Sequence, residues 1–354
     1  MSRYFSDKYS SLTPYVPGEQ PKDMRYIKLN TNESPFPPSV MALEKAAEAA
    51  KRLMLYSDPE CTKLTRVASQ RLGVEPEEIL FTNGSDEALN FAFMAFCDDQ
   101  NPAVFPDITY GFYSVFAQLN RVPYRQIPLQ DDFTIQVDDY IGVKGTVFIA
   151  NPNAPTGLMM NLDSIEQILK GNPDNVVVID EAYVDFGGVS ALPLIHKYDN
   201  LLVVQTFSKS RSMAGARLGF AAGCKALIRD LKTIQYATNP YNVNSMTMAA
   251  GIGALEDDVY FRNNCRTIIE NREWTRSALQ EMNFTVLDSA SNFLFAKHNT
   301  VSGGELYRNL KEKGVLVRHF AKPRLSDYIR ITVGSKEQMV VFLEKVKEIL
   351  EENP

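Results

Sequence analysis

The sequence predicts an α/β protein: a large domain with a mostly parallel sheet flanked by helices, beside a smaller α+β domain. Three observations carry that expectation. Between residues 79 and 206, short apolar runs rich in Val, Ile and Phe alternate with helical patterns, which is how a parallel sheet covered on both faces reads. Three of these runs lead straight into polar clusters, the position at which open α/β sheets bind ligands. After about Gly251 the order changes to a long amphipathic helix, then strand, strand, helix, strand, strand, helix.

Taken in order, the first ~35 residues carry Pro14, Pro17, Pro21 and Pro35, which break helices and indicate an irregular arm across the body. Pro37-Pro38-Ser39 then opens an Ala-rich helix to about residue 53 with Ser39 as N-cap, and a second helix over 62–72 closes on Gly73. Strands are expected at 79–81, 102–105, 122–127, 146–149, 176–179 and 201–206, separated by helices at 86–96, 111–119 and 162–170. A helix over about 257–282 opens the last region, and Ser335-Lys-Glu-Gln338 forms a capping box for a final helix ending near Glu352. The expected division is an arm over 1–29 that joins the small domain, a large domain over 30–250 and a small domain over 251–354.

Composition narrows the function. A chain of 354 residues exceeds the ~100–200 of one typical domain. Its net charge of −6, without a Lys/Arg block, lacks the electrostatic footprint of a nucleic-acid binder, so small molecules are the expected partners. No charged leader precedes an apolar core, and no apolar run approaches the ~20 residues that span a bilayer, so no membrane association and a cytoplasmic location are expected. Cys61, Cys97, Cys224 and Cys265 stand far apart without a C-x-x-C, and the three histidines are scattered, which argues against a disulfide framework and a metal site.

The strand ends carry the chemistry. Thr206-Phe-Ser-Lys209 follows the apolar run at 201–204, and Arg217 stands eight positions later. Most lysines are solvated surface charges, so Lys209 gains meaning only from its companions. In Phe81-Thr-Asn-Gly84-Ser85-Asp86, Gly84 permits close backbone approach, and Ser85 with the free N–H groups of a helix start suits an anion such as phosphate; the bland account is an N-capped helix. Asn151-Pro-Asn-Ala-Pro-Thr-Gly157 fixes a loop that can aim an Asn side chain at a polar ring, although most such loops are turns. In Val176-Val-Val-Ile-Asp180-Glu-Ala-Tyr183, an acid at the end of an apolar strand needs a positive partner: Mg²⁺ in a nucleotide-binding protein, or a protonated heterocyclic nitrogen. Tyr183 can reach the same ring. Together these residues supply a phosphate cup (Ser85, Thr206, Ser208, Arg217), an acid for a pyridinium nitrogen (Asp180), a hydroxyl (Tyr183) and a Schiff-base amine (Lys209). That is the set required by pyridoxal 5'-phosphate.

On these stretches the chain resembles the fold-type I pyridoxal-phosphate enzymes, and among them the histidinol-phosphate aminotransferases. Lys28-Leu-Asn-Thr-Asn-Glu-Ser-Pro-Phe, Ala214-Gly-Ala-Arg-Leu-Gly and Tyr328-Ile-Arg-Ile-Thr-Val-Gly complete the match, in family order over nearly the whole chain. The resemblance implies that Lys209 bonds the cofactor, Asp180 pairs with its ring nitrogen, Tyr183 bonds its ring hydroxyl and Tyr110 lies against the ring. Tyr56, in Tyr56-Ser-Asp-Pro59, matches the tyrosine that reaches the phosphate in a neighbouring subunit, which implies a homodimer; an exposed loop tyrosine is the competing account. Where the family usually has Asn before Pro-Thr-Gly this chain has Ala154, leaving Asn153 or Asn151 as the substitute contact, and Ser210-Arg211 replaces small and aromatic residues.

The implied reaction is amino transfer between L-histidinol phosphate and 2-oxoglutarate in histidine biosynthesis. Arg330 matches the arginine that forks onto the substrate's acidic group. Arg318, Tyr15, Asn32 and Asn292 are the further candidate substrate contacts. Transfer from aromatic amino acids, decarboxylation of a phosphorylated amino acid, and a silent binding protein on the same fold are the alternatives, the last disfavoured because Lys209 and Asp180 are both present.

Overall fold

The computed structural model describes residues 2–352. In chain order its elements are β1 (Ile27–Lys28), α1 (Val40–Ala50), α2 (Thr62–Leu72), β2 (Ile79–Thr82), α3 (Ser85–Phe96), β3 (Ala103–Pro106), α4 (Phe112–Asn120), β4 (Tyr124–Ile127), β5 (Thr146–Ala150), α5 (Leu162–Gly171), β6 (Val177–Asp180), β7 (Leu201–Thr206), β8 (Gly219–Gly223), α6 (Lys225–Thr238) and α7 (Ser245–Glu256). The C-terminal part adds α8 (Asp258–Glu281), β9 (Phe284–Val286), β10 (Phe293–His298), α9 (Gly303–Glu312), β11 (Val315–Leu316), β12 (Arg318–His319), β13 (Ile329–Thr332) and α10 (Lys336–Glu352). Local chemistry sets several boundaries. The Ser39 hydroxyl accepts the Ala42 N–H at 3.2 Å to start α1, and Gly73, at φ +71°, ends α2. The Ser335 hydroxyl accepts from the Gln338 N–H while the Gln338 carbonyl oxygen accepts from the Ser335 N–H, the expected capping box.

Among the described residues, one seven-stranded sheet runs β2-β8-β7-β6-β5-β3-β4. All of its pairs are parallel except those of β8, which is antiparallel to β2 and to β7. Register brings the chemistry to one edge. Ala150 lies opposite Asp180, and Asp180 opposite Val204, so β5, β6 and β7 end level with one another. Gly219 of β8 faces both Thr82 and Thr206, so the turns after β2 and β7 also meet there. A Cβ on Gly219 would lie 2.4 Å from the Ser85 nitrogen, and this close approach requires glycine.

Two apolar layers sandwich the sheet. One holds Leu64 of α2, Ile165 of α5 and Ala250 of α7 against Ile149, Ile179 and Val203; the other holds Phe93 of α3, Phe116 of α4 and Leu231 of α6 against Phe148, Val178 and Leu202. Because both faces of each central strand are covered, those strands read as unbroken apolar runs. The C-terminal part builds a separate four-stranded antiparallel sheet, β12-β13-β10-β9, over a core of Leu294, Ile331, Leu306 and Phe342. The arm enters this core: β1 pairs in parallel with β11, and Leu29 is buried among the same residues.

Candidate active site

Lys209 stands three residues beyond β7 because the strand is closed there by its own side chains. The Thr206 hydroxyl accepts the Ser208 N–H at 3.1 Å and donates to the Ser208 hydroxyl at 3.0 Å, and the Ser212 N–H bonds the Lys209 carbonyl at 3.2 Å. The Lys209 ammonium donates to the Thr31 carbonyl at 3.3 Å and lies 5.9 Å from the Tyr183 ring centre. Among the described residues no carboxylate forms an ion pair with it. Burial, with the nearby Arg330 guanidinium, pulls its pKa down to about 8, although Asp86 and Glu33 pull the other way. Ser210 and Arg211, which depart from the usual pattern, hold the turn from behind. The Ser210 hydroxyl donates to Asp185 at 2.5 Å, and Arg211 donates to the Ala254 carbonyl at 2.8 Å from a position over the Phe261 ring.

Asp180 ends β6 and is 4% exposed. One carboxylate oxygen accepts the Tyr113 hydroxyl at 3.0 Å, and the other accepts the Ala182 N–H at 3.2 Å. Burial nevertheless pushes its pKa up to about 6, because neither neutral donor replaces the hydration of a charge. Tyr113 was not among the residues singled out in the sequence. The signal was its spacing from Tyr110, since two tyrosines three apart at a helix start share a face. Their rings meet edge-on with centres 5.7 Å apart.

The anion cup forms where β2 runs into α3. Gly84, at φ +80°, caps the helix without a side-chain bond and leaves the N–H groups of the first turn, at Ser85 and Asp86, directed outward. Arg217, itself at φ +56°, lays its guanidinium so close that a Cβ on Gly84 would be 2.5 Å from it. The Asp86 carboxylate is shared, accepting from Arg217 at 2.8 Å and from the Tyr110 hydroxyl at 2.7 Å. Asp86 therefore orients the cup's cation and the tyrosine beside it.

On the opposite side, Asn32 joins three parts of the chain. Its side-chain amide donates to the Tyr183 hydroxyl at 2.9 Å, its own N–H donates to the Thr332 hydroxyl at 2.9 Å, and its carbonyl accepts from Asn292 at 3.0 Å. Arg330 of β13 lies directly opposite Arg318 of β12 in register. The centre of the Phe320 ring is 5.5 Å from the Arg318 guanidinium carbon and 5.6 Å from that of Arg330. Arg330 donates to the Asn30 carbonyl at 3.0 Å, yet its buried Nε and the buried Asn292 Oδ1 have no hydrogen-bond partner. Tyr15 of the arm stacks on Phe112 with centres 4.2 Å apart. Burial raises its pKa, while Arg330 and Arg318 oppose the shift from across the cleft.

The chain matches the family model for aminotransferase class I and II over residues 25–346. The histidinol-phosphate aminotransferase of Brachyspira hyodysenteriae is 49% identical over 352 residues, 99% of each chain. The chain belongs to the histidinol-phosphate aminotransferase family. The Clostridium beijerinckii member is 46% identical over 354 residues, covering 100% of this chain and 99% of that one. The crystal structure of the Sinorhizobium meliloti family member in complex with pyridoxal-5'-phosphate shares the fold, with a TM-score of 0.89 at 22% identity over 100% of this chain and 99% of that one.

Three further expected residues, Asn153, Asn151 and Tyr56, make their contacts with other parts of the chain. Asn153 donates to the Ile108 carbonyl in the segment after β3 at 3.0 Å and to the Thr156 hydroxyl of its own loop at 3.1 Å, and it accepts from Thr109 at 2.9 Å. Asn151 is likewise bonded to Met160 in both directions. At Ala154, where the family usually carries asparagine, the two flanking amides shape the loop instead. Tyr56 is 85% exposed and stacks on Tyr241 at 4.7 Å.

Proposed function

We propose that the chain transfers an amino group between L-histidinol phosphate, whose keto counterpart is imidazole-acetol phosphate, and glutamate or 2-oxoglutarate, using pyridoxal 5'-phosphate, as a step of histidine biosynthesis. The observation that carries this reading is the facing pair of chemistries in one cleft: a buried amine of lowered pKa and a buried, cation-free carboxylate on one wall, two arginines around one aromatic ring on the other.

The donor set fits the cofactor. Asp180 is a buried acid held only by neutral donors, which is unfavourable unless a cation joins it, and a protonated ring nitrogen is such a cation. The glycine-lined approach at Gly84 and Gly219, with Ser85, Thr206, Ser208 and Arg217, forms a cradle that any Cβ would fill. In this reading Lys209 would hold the aldehyde carbon, Tyr183 the ring hydroxyl and Tyr110 the face of the ring. When bound, the group supplies an electron sink for the pair left at the substrate Cα.

The chain's own residues do the rest. Because burial lowers the Lys209 pKa to about 8, a neutral amine is accessible near neutral pH, and the side chain can accept the substrate Cα proton and give it up again. Asp180, held ionised by Tyr113 and Ala182 against its burial, keeps the ring nitrogen protonated. Asn32 orients the Tyr183 hydroxyl. Arg330 and Arg318 receive the carboxylate of one substrate and the phosphate of the other, and the unpartnered Nε of Arg330 is the donor left for them. Tyr15 covers the cleft mouth and keeps water from the buried amine.

Separate apolar cores, with the arm's Leu29 in the C-terminal one, favour the proposed division into 1–29, 30–250 and 251–354 in outline, but α7 (Ser245–Glu256) crosses the 250/251 boundary and packs Ala254 and Leu255 into the large domain's core, which moves that boundary to about residue 257. A homodimer is supported by the exposed run of Leu53, Met54, Leu55 and Tyr56 beside Tyr241, with Tyr56 completing a partner's cup. A cytoplasmic location is part of this reading; no helix among the described residues is long and apolar enough to cross a membrane. The test is amino transfer to 2-oxoglutarate from histidinol phosphate, run beside phenylalanine. A higher kcat/KM with histidinol phosphate supports the reading. Preference for phenylalanine replaces it with an aromatic aminotransferase, and release of carbon dioxide with a decarboxylase.

A further inference from the structure

We infer that Glu19 is a positioning residue for the reaction: it pins the N-terminal arm to α9, and through that anchor it holds Tyr15 over the cleft. The inference rests on the proposed role of Tyr15. Its basis is the way the arm straddles the molecule. Upstream, the Thr13 N–H donates to the Gln118 side chain of α4 at 3.2 Å, and Tyr15 stacks on Phe112 of the same helix, so this part lies on the large sheet's side. Downstream, Arg318 donates to the Val16 carbonyl at 3.4 Å and Asn30 donates to the Glu19 carbonyl at 2.9 Å. The Glu19 carboxylate accepts from both the Tyr307 hydroxyl and the Lys311 ammonium of α9.

That double contact is the one side-chain ion pair the arm makes with the body upstream of β1 among the described residues. Burial acts to raise the Glu19 pKa, but the bonds from Lys311 and Tyr307 outweigh it and leave the carboxyl below its ordinary range, so the anchor is charged at neutral pH. Between anchor and lid lie only three residues, Val16, Pro17 and Gly18, so the four steps of chain span at most ~14 Å when extended. Pro17 falls within that span and Pro14 just before it, and each fixes its own φ. Gly18 packs so tightly that a Cβ would lie 2.6 Å from the Thr31 methyl, which leaves the span little slack. A short, stiff tether fixed at Glu19 keeps Tyr15 at high effective concentration over the site. Without the carboxylate, the long 3.4 Å bond from Arg318 and the Asn30 bond to the backbone are left to hold this segment, and Tyr15 returns to its place less often.

Glu19→Ala in the holoenzyme tests this. KM for histidinol phosphate should rise about tenfold, the size expected when a charge-assisted contact one-third exposed to solvent is lost. The kcat should stay within about twofold, the cofactor absorbance should be unchanged, and Lys311→Ala should do the same. In a Tyr15→Ala background, Glu19→Ala should add nothing, because it acts through Tyr15. An unchanged KM, a fall in kcat and absorbance together with the KM rise, or a full tenfold addition in that background would each overturn the inference. Trypsin cleavage at Lys8 should be about tenfold faster in the variant, and an unchanged rate overturns the anchor whatever the substrate. If the wild-type enzyme does not act on histidinol phosphate, the proposed function fails while this cleavage still reads the anchor.

Discussion

Two side chains carry opposite electrostatic burdens from the same cause. Burial lowers the pKa of Lys209 to about 8 and raises that of Asp180 to about 6, so each charged form is disfavoured when the cofactor is absent. For Asp180 the folded chain binds more protons than the unfolded chain between about pH 4 and 6. Its contribution to stability is therefore present below pH 4, declines as pH rises through 6, and its full cost of about 3 kcal/mol stands at neutral pH. For Lys209 the folded chain binds fewer protons between about 8 and 10, so its contribution is present above that window and is lost as pH falls through 8. Asp180→Asn should thus make the cofactor-free protein more stable at pH 7.5, by about 1–3 kcal/mol in urea unfolding, while lowering kcat by ~10²–10³. A variant with wild-type stability and wild-type turnover would show that this carboxylate bears neither load.

At the scale of elements, the sequence already carried the alternation of strands and helices, and with it the strand-end positions of Asp180 and Lys209, because doubly covered strands leave long apolar runs. β8 was not legible. Gly219-Phe-Ala-Ala-Gly223 lacks the β-branched residues that mark strands, and it is built of small residues because Gly84 and Ser85 crowd its start. Helices α6 and α7 were also missed, and the role of Tyr113 on α4 was hidden because a contact to β6 sixty-seven residues away leaves no local pattern. The amides of Asn151 and Asn153 illustrate the reverse limit: a loop rich in hydrogen-bonding side chains does not declare whether it bonds a ligand or the rest of the chain. The Tyr113→Phe substitution removes a donor that holds Asp180 ionised. The acid limb of the kcat profile should move up by about one pH unit, and an unmoved limb would show that the 3.0 Å bond does not tune Asp180.

For the whole molecule, the proposed homodimer puts one tyrosine of each cup on another copy of the chain. Tyr56 is exposed in its own subunit, and Leu53, Met54 and Leu55 extend its apolar surface. Lys209→Ala and Tyr56→Ala variants, each of low activity as homodimers, should regain activity when mixed under conditions that exchange subunits. The hybrid contains one site with its own Lys209 and the partner's intact tyrosine, together with one doubly defective site. Restoration to about half of the wild-type rate per hybrid is expected, and no recovery despite proven exchange would remove the shared site.

The measurement that bears most directly on the central claim is reduction of the protein with borohydride in the presence of pyridoxal 5'-phosphate, followed by peptide mass mapping. The account predicts one added phosphopyridoxyl group per chain, on the peptide containing Lys209. Labelling of a different lysine, or none at all, would contradict it.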